Sequence, residues 1–112
     1  MQIKHDMLYG YTDGILLCCL TKGDTYGYEI NRYISQRTEG RFELKEATLY
    51  TALRRLEREE YITSYWGTDK SGGPKRRYYS ITDSGKIRLK QRQKEWADIQ
   101  ELIGLLLKEQ ED

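Results

Sequence analysis

Two short segments past the middle of the chain decide what it can fold into. Residues 61–66 and residues 77–82 are rich in β-branched and aromatic side chains, and each reads as a strand. Between them residues 67–74 are polar and contain Ser71, Gly72, Gly73 and Pro74, a turn or flexible loop. Strands, loop and strand together make a hairpin.

The rest of the chain has helical spacing. A first helix is expected over residues 8–20; its second half is almost wholly apolar, which fits a buried core or a subunit interface, and Leu16 is assigned to such an interface. Gly23 suits a left-handed C-cap, and Thr25 or Asp24 can cap a second helix over residues 26–36, with Tyr26, Ile30, Tyr33 and Ile34 on one face. Gly40 breaks that pattern. A third helix is expected over residues 46–60, burying Ala47, Leu49, Leu53 and Leu56 and presenting Thr48, Thr51, Arg54, Arg55 and Arg58 on the opposite face. After the hairpin a long helix runs to about residue 107. In it Trp96, Ile99, Ile103 and Leu106 step by three, four and three, the spacing of a coiled-coil seam. A seam of about three turns needs a partner, and a second copy of the chain is the simplest one.

Three helices, a hairpin and a further helix spell a mainly α, α+β protein: a winged helix-turn-helix with a long C-terminal dimerisation helix. Residues 1–82 form the winged helix-turn-helix body. Residues 83–112 carry the dimerisation helix and an acidic tail, the whole making one compact unit. The length of 112 residues suits one such domain.

Charge distribution says more than the net charge of +1. Residues 68–94 hold nine basic side chains against Asp69 and Asp83, whereas residues 95–112 hold Lys108 against six acids. A basic block beside the hairpin is a candidate phosphate-binding surface. No run approaches the ~20 apolar residues of a membrane span, and residues 1–6 lack the pattern of a signal peptide, so no membrane partner and a cytoplasmic location are expected. Adjacent Cys18 and Cys19 make a poor disulfide pair and read as small buried thiols; a thiol sensor would need an exposed, activated thiol. One histidine, His5, cannot build a triad or a metal site with them. No catalytic residues, no metal and no cofactor are expected.

The third helix is the candidate recognition helix. Its Thr48, Thr51, Arg54 and Arg55 offer hydroxyl and guanidinium groups to base edges while the leucines hold the core, and Lys45, just before it, can meet a phosphate. Such a face alone is equally that of an ordinary amphipathic helix. Lys75, Arg76 and Arg77 beside the hairpin tip tilt the reading toward double-stranded DNA, since a basic wing of this kind follows the DNA backbone or enters the minor groove. The alternative is a winged-helix protein-interaction module that dimerises without specific DNA binding. The acidic residues 109–112 keep it open, and the salt dependence of binding separates the two.

Residues 47–57 (ATLYTALRRLE) resemble the recognition-helix motif of PadR-type transcriptional regulators. Residues 26–30 (YGYEI) are similar to the second-helix motif of that family, and residues 64–67, 72–73 and 76–82 to its wing. The resemblance implies a homodimeric repressor on an inverted-repeat operator. It implies that Tyr26 and Tyr50 hydrogen-bond phosphates and that Lys75 and Arg76 touch the backbone. The single short C-terminal helix resembles the small subfamily, which includes multidrug-binding repressors. There a tryptophan of the C-terminal helix pairs with its dimer mate to sandwich flat aromatic molecules; Trp96 stands at the matching position, with Met7, Tyr11, Gly14 and Cys18 completing the wall. A planar aromatic small molecule is thus an implied ligand, since indole faces stack on planar rings and favour cations. The alternative role for Trp96 is a packed interface aromatic. Two departures bear on this: Gly10 and Gly14 weaken the first helix, and Gln100 stands where an acid is expected.

Overall fold

The computed structural model describes residues 8–68 and 72–110. A 3-10 turn, Tyr9–Tyr11, leads into helix α1, Thr12–Cys19. The regular helix thus starts later than the expected residue 8. Gly10 sits in the turn, in keeping with the entropy a glycine loses inside a helix. At the other end α1 closes on Leu20, still right-handed, so Gly23 is not its cap; at φ +147° it serves the following turn and donates its N–H to Leu20 O at 3.3 Å.

Neither Asp24 nor Thr25 caps the second helix. Thr25 and Tyr26 instead form a two-residue strand, β1, Thr25–Tyr26, and α2 follows as Gly27–Arg37 with extended Tyr26 at its N-cap. The α2 terminus turns through Glu39 and Gly40, both at positive φ, and the Gly40 N–H donates to Ser35 O at 2.8 Å. The loop that follows is held by Asn31. Its Nδ2 donates to Leu44 O at 2.7 Å and its Oδ1 accepts from Leu44 N–H at 2.8 Å. Helix α3, Glu46–Arg58, starts two residues further on.

Strands β2, Ile62–Gly67, and β3, Arg76–Ile81, pair antiparallel from Ile62↔Ile81 to Gly67↔Arg76. On its other side β3 pairs with β1 through Thr25↔Tyr79 and Tyr26↔Tyr78, giving the sheet order β1-β3-β2. Helix α4, Asp83–Leu107, begins at Thr82, whose hydroxyl accepts from Gly85 N–H at 3.0 Å and donates to Glu60 O at 2.8 Å. Gly85 is required here because a Cβ would collide with the Tyr61 carbonyl oxygen. The close approach seats α4 on the body.

The core lies where α1, α2, α3 and the inner face of the sheet meet. Leu16, Leu17 and Leu20 pack with Ile30, Ile34, Leu49, Leu53, Leu56, Ile62 and Tyr79, and Leu89 is the contribution of α4. Ala52 takes the place in this core expected for Ala47, which is exposed. Leu16 is 0% exposed within the single chain, so it belongs to the core and has no surface left for the subunit interface assigned to it. Beyond Arg92 the side chains of α4 are exposed, although Trp96 still reaches Tyr11 beside α1. The molecule is accordingly elongated, 65 × 31 × 22 Å. Among the described residues no helix is long and apolar enough to cross a membrane.

Candidate nucleic-acid interface

Helix α3 is anchored by Leu49, Ala52, Leu53 and Leu56, and this fixes what it shows outward. Lys45, Thr51 and Arg54 are exposed, and Thr48 is half-buried at the edge of the same face. The Arg54 guanidinium donates to Thr51 Oγ1 at 3.3 Å, so the two are held side by side. The structure thus brings Thr51 and Arg54 together, with Thr48 one turn before Thr51 and Lys45 at the N-cap of the helix.

Tyr50 is half-buried, with its hydroxyl against Gly27 at the start of α2, where a Cβ would collide with it. It also lines a groove of about 510 Å³ between α2 and α3. Tyr26 packs edge-on against Tyr78, with ring centroids 5.4 Å apart.

Adjacent positions on a strand point to opposite faces of a sheet, and this separates the wing arginines. Arg76 lies on the outer face with its guanidinium 5.0 Å from the Tyr26 ring centroid, and its shielded Nε has no hydrogen-bond partner among the described residues. Arg77 lies on the α3 side, 5.6 Å over the Trp66 ring and 3.6 Å from the Glu57 carboxylate. Lys75 is exposed just before β3. The outer face continues from Tyr26 through Tyr78 to Tyr65, the last two rings stacked at 5.6 Å. The Tyr65 hydroxyl donates to Asp24 at 2.6 Å, and that bond raises its pKa above the ordinary tyrosine value.

Sequence reading missed Glu57, Ser64, Trp66 and Arg77 as a group. The strand alternation that puts Arg76 and Arg77 on opposite faces was a usable signal; the contact of Glu57 with the hairpin was not.

The expected aromatic site is partly assembled within one chain. Tyr11 and Trp96 meet edge-on, centroids 5.3 Å apart and planes at 78°. With Leu8, Gly14, Ile15, Cys18 and Leu89 they line an open pocket of about 280 Å³ between α1 and α4. Met7 lies outside the described residues. The pocket's rim is pinned by Asp13, whose carboxylate accepts from Arg92 Nε at 3.1 Å and stands 3.7 Å from Arg88. This pairing holds the Arg92 pKa above its ordinary value, and Arg92 also donates to Glu95 at 2.9 Å. Gly14 marks the approach of the two helices, since a Cβ there would stand 3.4 Å from Arg92 Cβ.

The thiols differ from the expected buried pair. Cys18 is exposed on the pocket rim, whereas Cys19 is half-buried, and burial pushes its thiol up to about 12. Both are free. No group of three or more metal-ligating side chains occurs among the described residues.

A core-anchored helix with a polar and basic outer face, beside a hairpin carrying Lys75, Arg76 and Arg77, defines a winged helix-turn-helix regulator of transcription. The sequence matches the transcriptional regulator PadR-like family model over residues 16–91. It is 46% identical over 105 residues to an uncharacterized protein of Lysinibacillus sphaericus, covering 94% of this chain and 95% of that one. A transcriptional regulator of Clostridium thermocellum superposes with a TM-score of 0.83 at 41% identity, covering 92% of this chain and 99% of that one. A PadR family transcription regulator of Clostridium difficile superposes with a TM-score of 0.74 at 38% identity, covering 88% of this chain and 100% of that one. The chain belongs to the PadR-like family of transcriptional regulators.

Proposed function

We propose that the protein is a cytoplasmic transcriptional repressor that binds an inverted-repeat operator as a homodimer and releases it when a planar aromatic molecule binds at the subunit interface. The observation that carries the DNA reading is the exposed pair Thr51 and Arg54, held side by side on a helix whose other face is locked in the core. In this reading α3 enters the major groove, with Thr48, Thr51 and Arg54 at base edges and Lys45 at a phosphate. Lys75 and Arg76 follow the backbone, and Tyr26 and Tyr50 offer hydroxyls to phosphates.

The dimer reading rests on α4. Trp96 is 47%, Ile99 39%, Ile103 48% and Leu106 77% exposed, an apolar stripe that a lone chain leaves in water. Two copies pairing along it would bury the stripe and set the distance between the recognition helices. The α1–α4 pocket with Tyr11, Cys18 and Trp96 adjoins the same stripe, so a ligand there would bear on that distance. Such a ligand releases DNA only if it favours a spacing that the operator does not.

The test is a gel-shift titration with DNA from upstream of the protein's own gene, at several salt concentrations and with competitor DNA. Competitor-resistant binding that weakens steeply with salt is the expected result. Weak binding equal for every duplex would favour a protein-interaction module instead.

A further inference from the structure

We infer that Glu57 is a positioning residue that locks the wing onto the recognition helix, and so sets the register between the major-groove and backbone contacts. The inference rests on the DNA-binding reading above. Glu57 lies on α3, three residues beyond Arg54 and therefore next to it on the helix surface. Its carboxylate makes two contacts with the hairpin, one to each strand. Ser64 Oγ on β2 donates to Oε2 at 2.6 Å, and Arg77 Nη2 on β3 stands 3.6 Å from Oε1. The same guanidinium lies over the Trp66 ring, 5.6 Å from its centroid.

Position in the hairpin gives this cluster its leverage. Ser64 pairs with Tyr79 and Trp66 with Arg77, so the cluster sits at the last rungs of the ladder before Gly67↔Arg76. Tyr79 is buried, while Trp66 is 64% exposed. Thus the hairpin leaves the core between those two rungs, and Glu57 ties down the point of departure. Lys75 and Arg76 lie beyond it, so any tilt about this point moves them relative to Thr51 and Arg54. A carboxylate close to DNA is otherwise unfavourable, because it repels phosphates. Here its charge is taken up by Arg77, which is consequently not a free phosphate ligand.

These opposing effects give a test by sign. If Glu57 were a bystander, Glu57→Gln would remove a negative charge near DNA and tighten binding to every duplex. If Glu57 positions the wing, Glu57→Gln keeps the Ser64 contact but loses the ion pair, and Glu57→Ala loses both. The probe is the duplex that the wild-type protein selects from a randomised pool, compared with a scrambled duplex. The expected result is a roughly three- to tenfold fall in affinity for the selected duplex in Glu57→Gln and a larger one in Glu57→Ala, the range for partly exposed charge-assisted contacts. Binding to the scrambled duplex stays equal or tightens, so the specificity ratio falls in both variants. Thermal unfolding of each variant, run alongside, separates this from a loss of fold: the ratio must fall under conditions where the variant is fully folded. Variants that bind the selected duplex at least as tightly as wild type, with an unchanged ratio, overturn the inference alone. A wild-type protein that selects no preferred duplex overturns the DNA-binding reading on which it rests.

Discussion

Asn31 shows how much one side chain can decide. It is polar, half-buried and in the middle of a helix, and its amide makes a two-way bond to the backbone of Leu44. That bond places the residues leading into α3. Asn31→Ala leaves a donor and an acceptor of Leu44 without their partner, and such a loss costs about 1–3 kcal/mol. Chemical denaturation is expected to show a stability loss in that range, with the helical signal of the folded state retained. The two thiols make a second residue-scale case. Cys19 is held protonated by burial, from an ordinary 9.0 up to about 12, so the folded state binds a proton that the unfolded chain releases earlier. The stabilising effect is complete below the unfolded value and is lost as pH rises through that interval. Above pH 9 the unfolding midpoint should therefore fall less steeply in Cys19→Ala than in the wild type. A maleimide at neutral pH should label Cys18, which is exposed, and leave Cys19 unmodified until the chain unfolds.

Among the elements, α3 and α4 put their apolar residues to different uses. In α3 the buried side chains all face the same chain, and the helix is a finished amphipathic element. In α4 only Gly85 and Leu89 are buried, and the apolar side chains from Trp96 to Leu107 are exposed. This exposed apolar stripe is what the proposed dimer would cover. Ile103→Asp is expected to give monomers in sedimentation velocity, since it puts a charge in the middle of the stripe; an unaltered dimer would count against the seam. The short strand β1 is the element with no sequence signature. Two residues carry no periodicity, and Thr25 and Tyr26 read equally well as the cap and first turn of α2. Only the presence of β3 alongside makes them a strand.

At the scale of the whole molecule, the chain is elongated, and the exposed part of α4 follows the α1–α4 pocket along the helix. Asp13, Arg88 and Arg92 tie α4 to α1 beside that pocket. In the proposed dimer, a ligand in this pocket would bear on the direction of α4 and so on the spacing of the two recognition helices. Trp96→Ala is expected to weaken a planar aromatic ligand in a fluorescence or calorimetric titration, while Ile99, Ile103 and Leu106 keep the proposed seam and DNA binding persists. Equal affinity in the variant would remove Trp96 from the site. The salt dependence of DNA binding should be the same for both proteins, since Trp96 carries no charge.

Order and type of the main elements were legible in the residues themselves, because hydrophobic spacing is local. The leucine stripe of α3, the two long strands and the reach of α4 to Leu107 follow from it. So does the outward row of Thr48, Thr51 and Arg54, since a helix that buries one face must show the other. Contacts between distant segments were not legible. Leu16 could have served a core or an interface, and only the packing of α2 and α3 around it put it in the core. Glu57 with Arg77, Asp13 with Arg92, and Tyr11 with Trp96 are each far apart in the chain, and no local pattern announces them. Periodicity tells which face of an element is apolar; what that face meets is decided only when the elements pack.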